Sequence, residues 1–208
     1  MIIKDESIFF RIDGKCFLAK DLLFIDTIRH ITQMIDISYN RLISTLQSTD
    51  NNLQNEFALI DGWAMIGSIN RLRTLLEKMP NISHNFLWYK NFYQKIKDVK
   101  HIRDFIEHFD EKIQSQIEKD NFMLGYISWV ELREDNSIVS NLLYSLRIRN
   151  NVDLKVVNPA GRGFRFKIDH ITFCLNEGEV NLSDMYYGLI DFIVKFEVYI
   201  ESRINKTI

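Results

Sequence analysis

Apolar residues recur at the three- and four-residue spacing of an amphipathic helix over the first part of the chain. The repeat runs from Leu22 to Leu46 in residues 20–47 and from Phe57 to Leu76 in residues 53–79. A third stretch, residues 94–119, continues it from Val99 to Ile117. Because this spacing puts apolar side chains on one helix face, the pattern predicts long helices over all these ranges.

The pattern changes to that of short strands after residue 120. Two apolar runs, residues 124–132 and 138–148, flank the polar segment REDNS, and this order predicts a β-hairpin. Residues 164–168 and 170–175 are typical of further strands, and residues 176–179 of a turn. Helical periodicity returns in residues 183–205, where Ser183 and Asp184 are predicted to cap a closing helix.

Residues 1–19 predict a short N-terminal hairpin, since Asp13 and Gly14 form a turn signal between two apolar runs. Only two prolines and eight glycines interrupt the chain, and so few breakers favour long helices. We therefore expect one domain over residues 1–208, mainly α, with a four-helix-bundle-like core in residues 20–120. A β-rich insertion in residues 121–180 precedes the closing helix.

Charge and cysteine usage restrict the classes of partner. The net charge of −2 over 208 residues gives no overall attraction to nucleic acid or anionic membrane, so any polyanion site has to be a local patch. No apolar run approaches the ~20 residues of a membrane span, and the early acidic residues are unlike a signal peptide. Cys16 and Cys174 match no metal spacing and predict buried, reduced thiols. These features predict a cytoplasmic protein without membrane contact.

The segment 101-HIRDFIEHFDEKIQ-114 combines a helical apolar stripe with two histidines, an arginine and four acidic residues. Most of its polar residues face away from the stripe, with Arg103 and Glu107 on the flank, and one interpretation is a solvated helix face. A second is a metal site, to which four side chains would contribute: His101, Asp104, His108 and Glu111. No matching His/Glu pair occurs on the other predicted helices, which argues against metal, and we expect no cofactor.

Within this segment, 103-RDFIEH-108 resembles the motif of the HEPN superfamily, an Arg followed by Asp, Asn or His, with a His four to six residues beyond the Arg. The resemblance implies a four-helix bundle and a metal-independent ribonuclease of the toxin–antitoxin, phage-defence or RNA-processing type. It implicates Arg103, Asp104 and His108 as catalytic residues and, for a toxin, a cognate antitoxin protein. The alternative is a catalytically silent binding or scaffold module for a protein or RNA partner.

These residue types fit RNA cleavage. Histidine, with an ordinary pKa of about 6.5, can take a proton from a 2′-hydroxyl or give one to a leaving oxygen. Arginine is a permanent, planar donor to phosphate, and Asp104 could orient the imidazole of His108. Residues five apart diverge by about 140° on a straight helix, so Arg103 and His108 of one chain do not converge easily. Two copies of the motif that face each other across a two-fold axis would bring an Arg103 and a His108 together, and the family commonly builds its site in this way. We therefore expect a homodimer.

Residues 147–167 form a basic segment with one acidic residue, Asp153. The predicted RNA-binding residues are Arg147, Arg149, Arg162, Arg165 and Lys167. Cations interleaved with aromatic residues, as in GRGFRFK, can bind phosphates and stack bases. The alternative interpretation is a solvated loop.

Asp61 is an acidic residue within the apolar run FALIDGWAMIGSI of the second predicted helix. It is either a buried carboxylate that pairs with an arginine such as Arg71 or Arg103, or a carboxylate at the edge of the apolar stripe. A structural salt bridge is favoured over a catalytic role.

Overall fold

The computed structural model describes residues 1–12, 17–48, 54–79, 85–108, 110–111, 125–144, 154–158, 160–161, 163–175 and 178–205. Its α-helices are α1 (Ala19–Gln47), α2 (Gln54–Lys78), α3 (Leu87–Ile96), α4 (Val99–Glu107) and α5 (Leu182–Ile204). Its strands are β1 (Tyr126–Leu132), β2 (Ile138–Tyr144), β3 (Ile168–Leu175) and β4 (Gly178–Asn181). The protein is therefore mainly helical, with a four-stranded antiparallel sheet before the last helix.

The first two helices pack along each other in opposite directions, as their periodicity predicts. Ile28, Ile35 and Leu42 of α1 are fully buried, and so are Ile66 and Leu72 of α2. Burying such a side chain contributes roughly 1.5–3 kcal/mol, so the two apolar stripes supply much of the core. Among the helices of the described ranges, none combines the length and apolar character that crossing a membrane would require.

The predicted third helix over residues 94–119 is wrong in its extent. A turn at Lys97 and Asp98 separates α3 from α4, while residue 109 and residues 112–119 lie outside the described residues. The helix α3 packs on α5, whereas α4 packs on α2 and β4. The apolar spacing from Phe92 through Ile96 to Val99 continues across the turn, so the pattern contains no sign of the break.

The sheet has the strand order β2-β1-β3-β4. The predicted hairpin of β1 and β2 is confirmed, with Leu132 opposite Ile138. The strands predicted at residues 164–168 and 170–175 are instead the single strand β3, which begins only at Ile168, so residues 164–167 are not in a strand. Residues 178–179 of the predicted turn belong to β4. The register of β1 and β3 shifts between Ser128 and Val130, and His170 has a φ of 53°. This bulge interrupts the alternation of side chains within one continuous strand.

The strand β3 is buried along its whole length, because α2 covers one side of the sheet and α5 also contacts the strand. The rings of Phe173 and Trp63 lie 4.5 Å apart. A Cβ atom on Gly62 would lie 2.9 Å from the Phe173 ring. Helix α2 therefore approaches the sheet closely at Gly62, which has no side chain.

The predicted N-terminal hairpin is wrong over the described residues. Ile8–Phe10 is a 3₁₀ helix, in which the backbone N–H of Phe9 donates to Ser7 Oγ at 3.2 Å. Phe9 is buried with its ring 5.9 Å from that of Phe196. Residues 1–12 and 17–18 contain no strand, and Asp13 and Gly14 lie outside the described residues. The apolar run fills space beside α5 instead of pairing with another strand.

The closing helix is confirmed, but its cap differs from the prediction. Asn181 is the N-cap, and its side chain accepts a hydrogen bond from the backbone N–H of Asp184 at 2.8 Å. Ser183 lies inside the first turn and is fully buried. Its Oγ accepts hydrogen bonds from the Tyr39 hydroxyl and from the backbone N–H of Ile171, both at 2.9 Å. Ser183 therefore connects α1, β3 and α5.

Replacing Ser183 with alanine should destabilise the protein by about 2–3 kcal/mol, because two buried donors lose their acceptor. Urea denaturation measures the change. The control is Ser44→Ala on α1, an exposed serine whose hydroxyl donates to the carbonyl oxygen of Asn40, and it should stay within about 0.5 kcal/mol of wild type. Equal stability of the Ser183 and Ser44 variants would contradict a structural role for Ser183.

Candidate functional site

The predicted catalytic residues lie on α4 and the turn that follows it. The core side of α4 buries Val99, Ile102 and Phe105. The side chains of Arg103 and Asp104 are 38% and 40% exposed, and that of His108 is 56% exposed. All three are therefore accessible, and the core does not require them.

Arg103 and His108 contact different carboxylates. The guanidinium of Arg103 forms an ion pair with Glu107, one turn along the helix, and its Nη1 lies 3.6 Å from Asp104 Oδ1. The ring of His108 lies with Nδ1 3.4 Å from Glu111 Oε2. Glu111, rather than the predicted Asp104, is thus the carboxylate beside the imidazole. Asp104 contributes its carbonyl oxygen, which accepts from the His108 backbone N–H at 3.2 Å.

The alternative metal site is absent from the described residues. No group of three or more His, Cys, Asp or Glu side chains in these ranges is arranged to hold a metal ion. The four side chains considered for this site, His101, Asp104, His108 and Glu111, do not form one. They are spread along the exposed side of α4 and the residues after it.

The described part of the basic segment packs on the start of α5. Arg165 and Lys167 are exposed, while Arg147, Arg149 and Arg162 lie outside the described residues. The Arg165 guanidinium lies 4.5 Å from the centre of the Tyr187 ring, at a cation–π distance. The Phe166 ring lies 6.0 Å from the same ring. The exposed surface of Arg165 and Phe166 therefore places a cation and an aromatic ring against the buried Tyr187.

A buried polar cluster lies next to this surface and was not predicted. Asp169 is 1% exposed and accepts hydrogen bonds from the Tyr187 hydroxyl at 2.8 Å and from the backbone N–H groups of Arg165 and His170. Burial raises the pKa of Tyr187 above its ordinary value, which keeps the hydroxyl protonated as a donor. The Nε2 atom of His170 is buried, and no described residue forms a hydrogen bond with it. The only sequence signal was an Asp-His pair inside an apolar strand.

Of the two positions considered for Asp61, the structure has the buried one, but its partner is Arg41 rather than Arg71 or Arg103. Asp61 is 2% exposed, and its Oδ1 lies 3.3 Å from Arg41 Nη2. Its Oδ2 has no hydrogen-bond partner among the described residues. Burial raises the pKa of Asp61, and the charge of Arg41 lowers it by less. This pair joins α1 to α2 and has a structural rather than a catalytic arrangement.

Comparisons of the chain with protein-family models, with curated proteins and with solved structures found no match.

The Asp61→Asn substitution should change how stability depends on pH. Burial raises the carboxyl pKa in the folded state above the unfolded value of about 3.9, so the folded protein holds the proton more tightly. Its free energy of unfolding should fall, relative to that of Asp61→Asn, as the pH rises from about 4 through the raised pKa. Urea denaturation over a pH series measures this difference.

The matched control is Asp191→Asn, which removes an exposed carboxylate from α5. Its pH dependence should follow that of wild type. Parallel curves for wild type and Asp61→Asn would show that the Asp61 carboxyl titrates alike in the folded and unfolded states.

Proposed function

We propose that this protein is a HEPN-like, metal-independent ribonuclease of the toxin or defence type. It acts as a homodimer in the cytoplasm, with Arg103, Asp104 and His108 at a composite site. The four helical parts of the bundle are α1, α2, α3 with α4, and α5. The observation that supports the proposal is the exposure of all three motif residues beside a helix face that fills the core. They are available to a substrate because folding does not need them.

The proposed reaction is an intramolecular transfer at phosphorus. His108 takes the proton of the 2′-hydroxyl, and the resulting oxygen attacks the adjacent phosphorus. The bond to the 5′-oxygen breaks, a water molecule gives that oxygen a proton, and the imidazolium of His108 returns its proton to the resulting hydroxide. Glu111, with Oε2 3.4 Å from Nδ1 of His108, orients the imidazole. Arg103 donates to the phosphate oxygens as negative charge accumulates on them.

The ion pair of Arg103 with Glu107 does not prevent this role. Its side chains are 38% and 45% exposed, and exposed pairs contribute only about 0.2–1 kcal/mol. A donor to developing negative charge in a catalytic site contributes about 3–4 kcal/mol. A phosphate at the transition state therefore competes successfully with Glu107 for the guanidinium.

The second candidate is a catalytically silent binding module, and the carboxylates around the motif favour it. Asp104 and Glu107 both lie beside Arg103, and Asp110 and Glu111 are exposed just after the helix. Such a surface attracts a basic protein, such as a cognate antitoxin, more readily than RNA. In this case the Arg103 pair stays intact in the complex.

Alanine substitution of His108 and of Arg103 separates the two candidates. His108→Ala should reduce RNA cleavage about 10²–10⁴-fold through loss of proton transfer, and Arg103→Ala about 10²–10³-fold through loss of phosphate stabilisation. Both residues are exposed, so stability should change by no more than about 0.5 kcal/mol. The assay follows cleavage of single-stranded RNA with a chelator present, and Lys100→Ala on the same helix is the control.

Cleavage that survives both substitutions, or that the chelator abolishes in wild type, would contradict the ribonuclease proposal. No cleavage by wild-type protein would favour the binding module.

Mixing the two inactive variants tests the composite site. If Arg103 of one chain works with His108 of the other, a heterodimer of Arg103→Ala and His108→Ala contains one intact site. Random exchange should then restore about a quarter of wild-type cleavage, since about half of the dimers are mixed and each has one of two sites. The mixture is assayed after the subunits have been unfolded and refolded together. Cleavage no higher than that of either variant alone would contradict a site shared across the dimer.

A further inference from the structure

A groove of about 660 Å³ lies between the start of α3 and the end of α5. Its walls include Phe86, Trp88, Lys195, Val198, Tyr199 and Arg203. Small-ligand sites have volumes of about 300–1,000 Å³, so the groove is large enough for a nucleotide. It is separate from the motif on α4, because none of its lining residues comes from that helix.

The aromatic side of the groove is a fixed stack of rings with an accessible end. The rings of Phe86 and Trp88 are nearly parallel, with centres 5.4 Å apart, and Tyr199 meets Phe86 edge-on at 5.7 Å. Trp88 also packs against the buried Phe192 at 5.4 Å, which holds the stack in place. Phe86 is 37% exposed, so a further flat ring can extend the stack.

The other side of the groove is cationic. Lys195 and Arg203 line it, and no acidic residue is among the described residues that do so. The nearby Glu197 is turned to Ser7, whose hydroxyl donates to its carboxylate. Flat rings beside two cations form the combination that binds single-stranded nucleic acid, in which bases stack and phosphates pair with basic side chains.

We propose that this groove binds single-stranded RNA, with one base stacked on Phe86 and Trp88 and the neighbouring phosphates at Lys195 and Arg203. The choice of RNA rests on the proposed ribonuclease function. The groove supplies the positive surface that the motif lacks, because the carboxylates around Arg103 repel a polyanion. Substrate is therefore held at α5 while it is cleaved at α4.

The experiment measures binding of a short single-stranded oligouridylate by fluorescence anisotropy over a salt series. The full chain carries His108→Ala, so that no cleavage occurs. Phe86→Ala should weaken binding about 5- to 150-fold, the range for loss of one base-stacking ring. Lys195→Gln should weaken binding and reduce the slope of log affinity against log salt by about 0.7.

Matched controls come from the same region of the chain. Leu87 is 72% exposed next to Phe86, and Lys90 is exposed on α3, yet neither lines the groove. Leu87→Ala and Lys90→Gln should each bind the oligonucleotide as the parent does. Stacking should also quench tryptophan emission, and Trp88→Phe should abolish that quenching while Trp63 and Trp129 remain as emitters.

Unchanged affinity in both Phe86→Ala and Lys195→Gln would overturn the groove proposal, and so would competition by an acidic peptide at lower concentration than by RNA. If the wild-type protein cleaves RNA and the Phe86→Ala and Lys195→Gln substitutions do not change this cleavage, the groove proposal is wrong but the ribonuclease proposal is not contradicted. Groove-dependent binding by a wild-type protein that cleaves no RNA would support the groove and contradict the ribonuclease.

Discussion

Buried hydrogen bonds between side chains join the start of α5 to α1 and β3. The packing of these three elements against one another depends on those bonds. Among the described residues these bonds include the pairs Tyr39–Ser183, Tyr186–Asp36 and Tyr187–Asp169. A buried carboxylate that accepts no hydrogen bond destabilises the folded state. Burial raises the pKa of Tyr39 to about 12 and also raises the pKa values of Tyr186 and Tyr187, so all three hydroxyls stay protonated and can donate. The donors and acceptors match in one arrangement, so they fix the rotation of α5 against α1 and β3.

The position of the candidate site follows from that of α5. Helix α3 packs on α5 at Gly188, where a Cβ atom would lie 2.8 Å from Lys95 Cδ. After the turn at Lys97 and Asp98, α4 continues to α2 and β4. The motif helix is thus positioned by two contacts at opposite ends of the turn, and a shift of α5 would move both the groove and α4.

The hydrophobic pattern predicted the secondary structure that neighbouring residues determine. It did not predict the features that depend on contacts between residues far apart in the chain. Periodicity predicted α1, α2 and α5 as helices and the exposure of Arg103 and His108. It could not separate α3 from α4, because tertiary contacts on either side of Lys97 decide that break. The pairing of Asp61 with Arg41 and of His108 with Glu111 was missed for the same reason, since long side chains select among several nearby partners. The groove joins Phe86 to Tyr199, residues far apart in the sequence.

The proposed function depends on where positive and negative side chains lie on the protein surface. With a net charge of −2, any attraction to RNA requires a local basic patch, and the exposed end of α4 is instead rich in carboxylates. Two of the described places where a cation lies near an aromatic ring border α5, since Arg165 covers Tyr187 and Lys195 lines the groove beside Tyr199. These two tyrosines are roughly 18 Å apart along a helix that rises 1.5 Å per residue. In our proposal RNA follows α5 along its exposed cations and the neighbouring rings, and only the phosphate that displaces Glu107 from Arg103 enters the acidic surface of α4.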